Sequence, residues 1–260
     1  MDIVFIGAGR LATNMARALS GKGHRIVAVY SRTLASAQTL SSMVGGMATD
    51  NVQSLPTVAD AFIVAVKDSV LAGLIPQLTK DRVGQAFFHT AGSVPMSVFQ
   101  GNASRYGVIY PMQTFSKERL VDFSRVPIFI EACDEPTLLL ARTLAASLSG
   151  YVQQLSDEAR RHLHLAAVFA CNFANHCYAL SAEVLKPYGI PFEVMLPLIE
   201  ETASKVQTMA PRDAQTGPAI RYDENIINAQ IQLLQGQPMA QQVYRLMSQS
   251  IHQLAEHDQL

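Results

Sequence analysis

Polar and apolar positions follow two different rhythms along the chain. Over the first half, short β-branched runs alternate with helical stretches. Strands are predicted at 3–6, 25–30, 61–66, 85–89, 108–110, 128–131 and 151–155, with helices at 10–22, 33–44, 69–79 and 136–149. Strands separated by helices of 10–15 residues imply βαβ units and a mostly parallel sheet. The run Phe62-Ile63-Val64-Ala65-Val66 is continuous rather than alternating, as expected for a strand covered on both faces. After Ser156 the β-branched clusters stop. One long helix is predicted over 157–186, about 45 Å at 1.5 Å per residue, with Ser156 as N-cap and Pro187 as its end. Further helices are predicted at 191–209, 223–235 and 238–257. The expected architecture is α/β: a Rossmann-like, doubly wound, mostly parallel sheet in residues 1–155, followed by an all-α C-terminal domain in 156–260.

Composition changes this picture in one respect. Apolar residues make up 49% of the 260, ample for a packed core, but charged residues only 16%, where about 25% is usual. The deficit is local: between 163 and 199 only Glu183, Lys186 and Glu193 are charged. A helix apolar nearly all round needs cover on most sides, and four helices offer few neighbours, so a homodimer through the helical domain is expected. Net charge is −1, which gives no basic excess for nucleic acid or an anionic membrane. The halves differ in sign, +3 for 1–155 and −4 for 156–260. Cys133, Cys171 and Cys177 form no CxxC pair, and no signal peptide or 18-residue apolar span is evident, so a reducing cytoplasmic setting is expected.

Candidate chemistry begins at Gly7-Ala8-Gly9-Arg10-Leu11-Ala12, a G-x-G-x-x-A pattern between a predicted strand and a predicted helix. Gly7 permits the tight turn, Gly9 lets backbone approach a pyrophosphate, and Ala12 allows close packing of helix on sheet. The helix N-terminus would present free N–H groups to the phosphates. The second strand ends Tyr30-Ser31-Arg32-Thr33, without the acid that holds an NAD ribose. Hydroxyls and a guanidinium there suit a 2′-phosphate, so NADP(H) is expected over NAD(H). Arg32 is alternatively a solvated helix-start residue. Loops after the other strands should face the same ligand. They carry Val66-Lys67-Asp68, Thr90 and Gly92 as cofactor contacts, and Tyr110 and Gln113 as substrate contacts. His89 ends an apolar strand and reads as a hydrogen-bonded core histidine before a catalytic one.

On the long helix, His164, Val168, Asn172 and His176 advance along one face at about 100° per residue. His164 is a candidate proton donor and Asn172 a candidate for orienting a carbonyl or imine. A buried packing network is the competing reading. No metal site is expected, since His162, His164 and His176 lack H-E-x-x-H spacing. In Thr216-Gly217-Pro218-Ala219-Ile220-Arg221-Tyr222-Asp223, Arg221 suits an anionic group and Asp223 a helix N-cap before any catalytic task.

Taken together these segments resemble a bacterial family that joins a Rossmann-like NADP-binding domain to a helical domain of unknown function. The closer resemblance is carried by Gly7-x-Gly9-x-x-Ala12, Ser31-Arg32-Thr33, Ala65-Val66-x-Asp68, His89-Thr90-x-Gly92-Ser93 and Pro111-Met112-Gln113-Thr114-Phe115. In the helical half it rests on His164-x-Ala166-Ala167-Val168-Phe169-Ala170-x-Asn172 and Thr216-Gly217-Pro218-x-x-Arg221-x-Asp223. The chain is more distantly similar to pyrroline-5-carboxylate reductase, deazaflavin-dependent NADP oxidoreductases and the 6-phosphogluconate dehydrogenase-like superfamily. The resemblance implies an NADP-dependent oxidoreductase whose helical domains pack as a dimer, and the leading expectation is reduction of a small carbonyl or imine in the cleft between the domains. A non-catalytic NADP-binding regulatory or interaction protein is the alternative. The sequence departs from the family at Lys67, Tyr110 and Tyr222, where Pro, His and Gly are usual. Val168 stands where related hydroxyacid dehydrogenases place a lysine.

Overall fold

The computed structural model describes residues 1–256. It groups into two compact units, Met1–Cys171 and the chain from Asn172 onward. In the first unit, eight strands form one sheet: β1 (Asp2–Ile6), β2 (Arg25–Tyr30), β3 (Met47–Thr49), β4 (Ala61–Val64), β5 (Ala86–His89), β6 (Arg105–Pro111), β7 (Ile128–Ala132) and β8 (Val152–Gln154). Their order is β3-β2-β1-β4-β5-β6-β7-β8, parallel as far as β6. This is the Rossmann-like arrangement expected from the sequence. The strand order reverses between β1 and β4, the switch point beyond whose carboxyl ends such sheets bind ligands.

Period-two alternation divides the core. Ile3, Phe5 and Ile63 pack on one face with α1 (Arg10–Gly21), α2 (Leu34–Val44) and α4 (Glu135–Leu148). Val4, Ile6, Phe62 and Val64 pack on the other with α3 (Asp68–Thr79). All are fully or almost fully buried, which explains the unbroken apolar runs. Asp134 caps α4 by accepting from the Thr137 N–H at 2.8 Å, with Pro136 in the first turn.

Two features of this unit were not in the sequence reading. Strand β3 is three residues at the sheet edge, paired with β2. Beyond β6 the direction turns: β7 is antiparallel to β6, with Gly107 opposite Ala132, and β8 follows β7. The chain thus leaves β8 heading away from the carboxyl edge. Two residues later α5 (Asp157–Ala167) starts beside Glu131, capped by Ser156 as expected, and runs back towards the loop after β5.

The expected single helix over 157–186 is interrupted. A π-helical segment, Val168–Phe173, lies between α5 and α6 (Ala174–Leu185). Its i→i+5 bonding widens the turn, so a 100° count does not carry from His164 to Asn172 and His176. In the second unit follow α7 (Leu196–Lys205), α8 (Glu224–Leu233) and α9 (Pro238–Glu256). Residue 257 of the last predicted helix, and 258–260 of the predicted domain, lie outside the described residues. Asp223 caps α8, accepting from the Ile226 N–H at 3.3 Å, the role its sequence position favoured. No residue of α6 or α7 is buried in the single chain. Among the described residues no helix is long and apolar enough to cross a membrane.

Candidate functional site

The turn between β1 and α1 is built for close backbone approach. Gly7 has φ +114°, and a Cβ there would lie 2.2 Å from the carbonyl oxygen of Ala65, the residue after β4. Only glycine fits. Gly9 is the N-cap of α1 and has ordinary φ, −77°, with no side-chain cap. A Cβ on Gly9 would meet nothing within 4 Å. The first N–H groups of α1 are therefore left for a ligand, with the positive end of the helix dipole behind them.

Gly7, Ala8 and Gly9 line a cavity of about 380 Å³ at the switch point. Ser31, Arg32 and Thr33 enter it from the end of β2, and Val66 and Lys67 from the end of β4. Among the described residues that line it, none is acidic. Arg32 and Lys67 are exposed, and the Thr33 hydroxyl donates to Ser36 Oγ at 2.8 Å. A glycine cradle, free helix N–H groups and two cations fit a dinucleotide that carries a pyrophosphate and a 2′-phosphate on the ribose of its adenosine.

Five expected cofactor contacts fall outside the cavity lining. Arg10 is exposed on the first turn of α1, and Leu11 packs against the core. Asp68 opens α3 and accepts a short hydrogen bond from the Ser93 hydroxyl. Thr90 and Gly92 are buried in the loop after β5.

Gly92 belongs to a second cluster. Tyr110 on β6, only 7% exposed, is joined to His164 of α5 by a 3.1 Å hydrogen bond between its hydroxyl and Nδ1. The rings meet edge to face at 6.0 Å. Burial holds the Tyr110 phenol above its usual pKa, so it keeps its proton. A Cβ on Gly92 would sit 2.6 Å from the same Nδ1. The Nδ1 end of the imidazole thus meets both a phenol and a glycine. His162, two residues earlier, turns instead to the Glu158 carbonyl at 2.8 Å and is exposed.

His89 is fully buried, with Nδ1 accepting from the Ala91 N–H at 3.2 Å. Burial above all, then the Arg160 charge, lowers its pKa to about 4. It is a neutral core histidine that shapes the same loop, the reading its position favoured. Gln113 is exposed and accepts from the Thr114 N–H at 2.8 Å in a local turn.

Asn172 and Arg221 belong to the second unit, where both are exposed. Tyr222 beside Arg221 has φ +49°, a conformation that favours glycine, and its ring stacks on His252 at 4.7 Å. The departure at this position therefore carries backbone strain, set against an aromatic contact. Among the described residues no group of three or more His, Cys, Asp or Glu could hold a metal.

One charged group in this region escaped the sequence reading. Arg160 is 1% exposed, yet carries a full guanidinium. It donates to the carbonyls of Ala91 at 2.9 Å, Gly92 at 3.1 Å and Val94 at 2.8 Å. It also pairs closely with Asp157 and lies 3.6 Å from Glu131. Burial, then the Asp157 carboxyl, pushes Glu131 up to about 7.

Comparison with known proteins places this fold among nicotinamide-dependent oxidoreductases. A Rossmann-like domain family matches residues 1–113, and a domain of unknown function, DUF2520, matches 126–251. A crystal structure described as a "putative NADP oxidoreductase" from Bacteroides fragilis is 50% identical. The match covers 97% of this chain and 98% of that one, with a TM-score of 0.93. The chain belongs to the family of that protein. Two more distant structures share the fold. An imine reductase from Myxococcus stipitatus in complex with NADP+ is 16% identical, with a TM-score of 0.66 over 99% of this chain and 93% of that one. A 1-pyrroline-5-carboxylate reductase from Streptococcus pyogenes is 13% identical, with a TM-score of 0.63 over 97% and 98%. Among proteins of curated function, none matches the chain.

Proposed function

We propose that the protein is an NADP(H)-dependent reductase of a small carbonyl or imine compound. The observation that carries this reading is the cavity where the glycine turn meets Ser31, Arg32 and Thr33, with no carboxylate among its described lining residues. Arg32 and the two hydroxyls would hold a 2′-phosphate that an acidic residue would repel. The N–H groups at the start of α1 would hold the pyrophosphate. When bound, the dinucleotide supplies the hydride. The chain's part is alignment and a proton. Tyr110 and Gly92 fix the His164 ring through Nδ1, which leaves Nε2 as the nitrogen to deliver or relay the proton. From their chemistry, Asn172 is assigned to orienting the substrate's polarised double bond and Arg221 to pairing with an anionic group on it.

We also propose that the helical unit pairs with a second copy of the chain. Leu198 at 63%, Leu233 at 81%, Met239 at 69% and Leu246 at 65% exposure support this, because soluble monomers rarely display so many large apolar side chains together. The three free cysteines support a cytosolic setting. The test of the main reading is purified protein with NADPH and a panel of 2-oxo acids and cyclic imines, followed by loss of nicotinamide absorbance. Turnover with at least one class is expected. Tight NADPH binding with no turnover on any of them would overturn it in favour of a regulatory nucleotide-binding protein.

A further inference from the structure

We propose that Arg160 is a positioning residue for His164, acting through the loop after β5; the proposal rests on the reading of His164 as proton donor. A lone guanidinium buried to 1% is costly, and its partners show what holds it there. Two are acidic side chains, Asp157 and Glu131. The other three are the carbonyls of Ala91, Gly92 and Val94. All three carbonyls belong to one short loop, residues 91–94. That loop is the wall of the His164 ring: Gly92 lies against Nδ1 so closely that a methyl group would not fit.

The helix supplies the register. His164 follows Arg160 by four residues, so both side chains project from one face of α5, a turn apart. One turn pins the loop, and the next places the imidazole against it. Asp157, three residues before Arg160, closes the frame by accepting from the Met96 N–H at 3.1 Å. Its own N–H donates to Glu131 at 3.1 Å. The placement of Gly92 against the His164 ring is set by this frame. The planar fork of arginine can serve several carbonyls and a carboxylate at once. A lysine ammonium offers a single point charge, and a methionine offers no donor.

The experiment compares the wild type with Arg160→Met, Arg160→Lys and Gly92→Ala, using the full chain. The His164 ring is followed by ¹³C–¹H NMR of histidine-labelled protein, its signal assigned through His164→Gln. Turnover is measured with NADPH and 2-methyl-1-pyrroline, and NADPH affinity by fluorescence titration. In Arg160→Met the His164 signal is expected to move towards that of a mobile imidazole. kcat should fall about 10²-fold, the scale of a misplaced reacting group, while NADPH affinity is unchanged. Arg160→Lys should restore part of both. Gly92→Ala should displace the same signal with Arg160 intact. A cooperatively folded Arg160→Met protein with a wild-type His164 signal would overturn the proposal. If Arg160→Met does not fold, a wild-type signal in Gly92→Ala overturns it instead. A wild type without turnover would count against the reductase reading alone, since the NMR comparison still decides the positioning role.

Discussion

Gly7 and Gly9 stand two residues apart in one motif, yet the structure assigns them different work, and alanine separates the two. At Gly7 the added methyl would be forced to φ +114° and to 2.2 Å from the Ala65 carbonyl oxygen. Holding a non-glycine residue in such a conformation costs about 1–3 kcal/mol. Relieving the clash by shifting β1 or β4, both buried apart from Asp2, adds about 1–3 kcal/mol of overpacking. Gly7→Ala should therefore lose roughly 2–6 kcal/mol, a large part of the 5–15 kcal/mol of a typical fold. At Gly9 the backbone is ordinary and the methyl meets no protein atom within 4 Å. Gly9→Ala should leave stability within about 0.5 kcal/mol of wild type. Its methyl would instead stand where the pyrophosphate approaches the α1 N–H groups. Loss of one charge-assisted bond, about 1.5–3 kcal/mol, weakens binding by roughly 10- to 150-fold. Urea denaturation of the apo-protein reads the first effect, and fluorescence titration with NADPH the second. Wild-type NADPH affinity in Gly9→Ala would refute the reasoning, because the turn would then not be where phosphate meets backbone.

Three other substitutions probe the rest of the site. Arg32→Ala should weaken NADPH binding by about 1.5–3 kcal/mol and leave NADH binding nearly unchanged, as read by parallel titrations. Equal losses for both would remove the 2′-phosphate role. His164→Ala should lower kcat by roughly 10²–10⁴ on any imine or carbonyl that is turned over, and unaltered turnover would eliminate it as proton donor. Glu131 is pushed up to about 7 by burial and the neighbouring Asp157 carboxyl, so the folded state holds a proton that the unfolded chain releases. Its stabilising effect is full below the ordinary carboxylate range and disappears as pH rises through about 7. Urea midpoints of wild type relative to Glu131→Gln should thus fall between pH 5 and pH 8, and a flat difference would contradict the shift.

The Rossmann-like half was legible because its strands are buried on both faces and therefore spelled out in unbroken apolar runs. The glycine turn was legible because its context is local: strand, turn and helix lie within about a dozen residues. Ser156 and Asp223 were readable as caps for the same reason. What escaped depends on distant partners or on backbone alone. Strand β3 has three residues and exists because β2 offers an edge. The π segment at Val168–Phe173 changes which carbonyl each N–H meets without changing the apolar pattern. In the sequence Arg160 is one of several charges at a helix start. Its carbonyl partners lie 66 to 69 residues earlier and have no side-chain signature.

The reversal at β7 makes the length of one short connection a measure of position. Only Leu155 and Ser156 separate β8 from α5, and the Leu155 N–H is itself fixed to the Ile130 carbonyl at 3.0 Å. No slack is left to absorb a change. A single inserted residue would turn α5 by about 100° about its axis and swing the His164 ring off the β5 loop, though the helix itself would remain sound. Over evolutionary time the joint should thus reject insertions and deletions that an exposed loop would accept, so its length acts as a ruler for the imidazole.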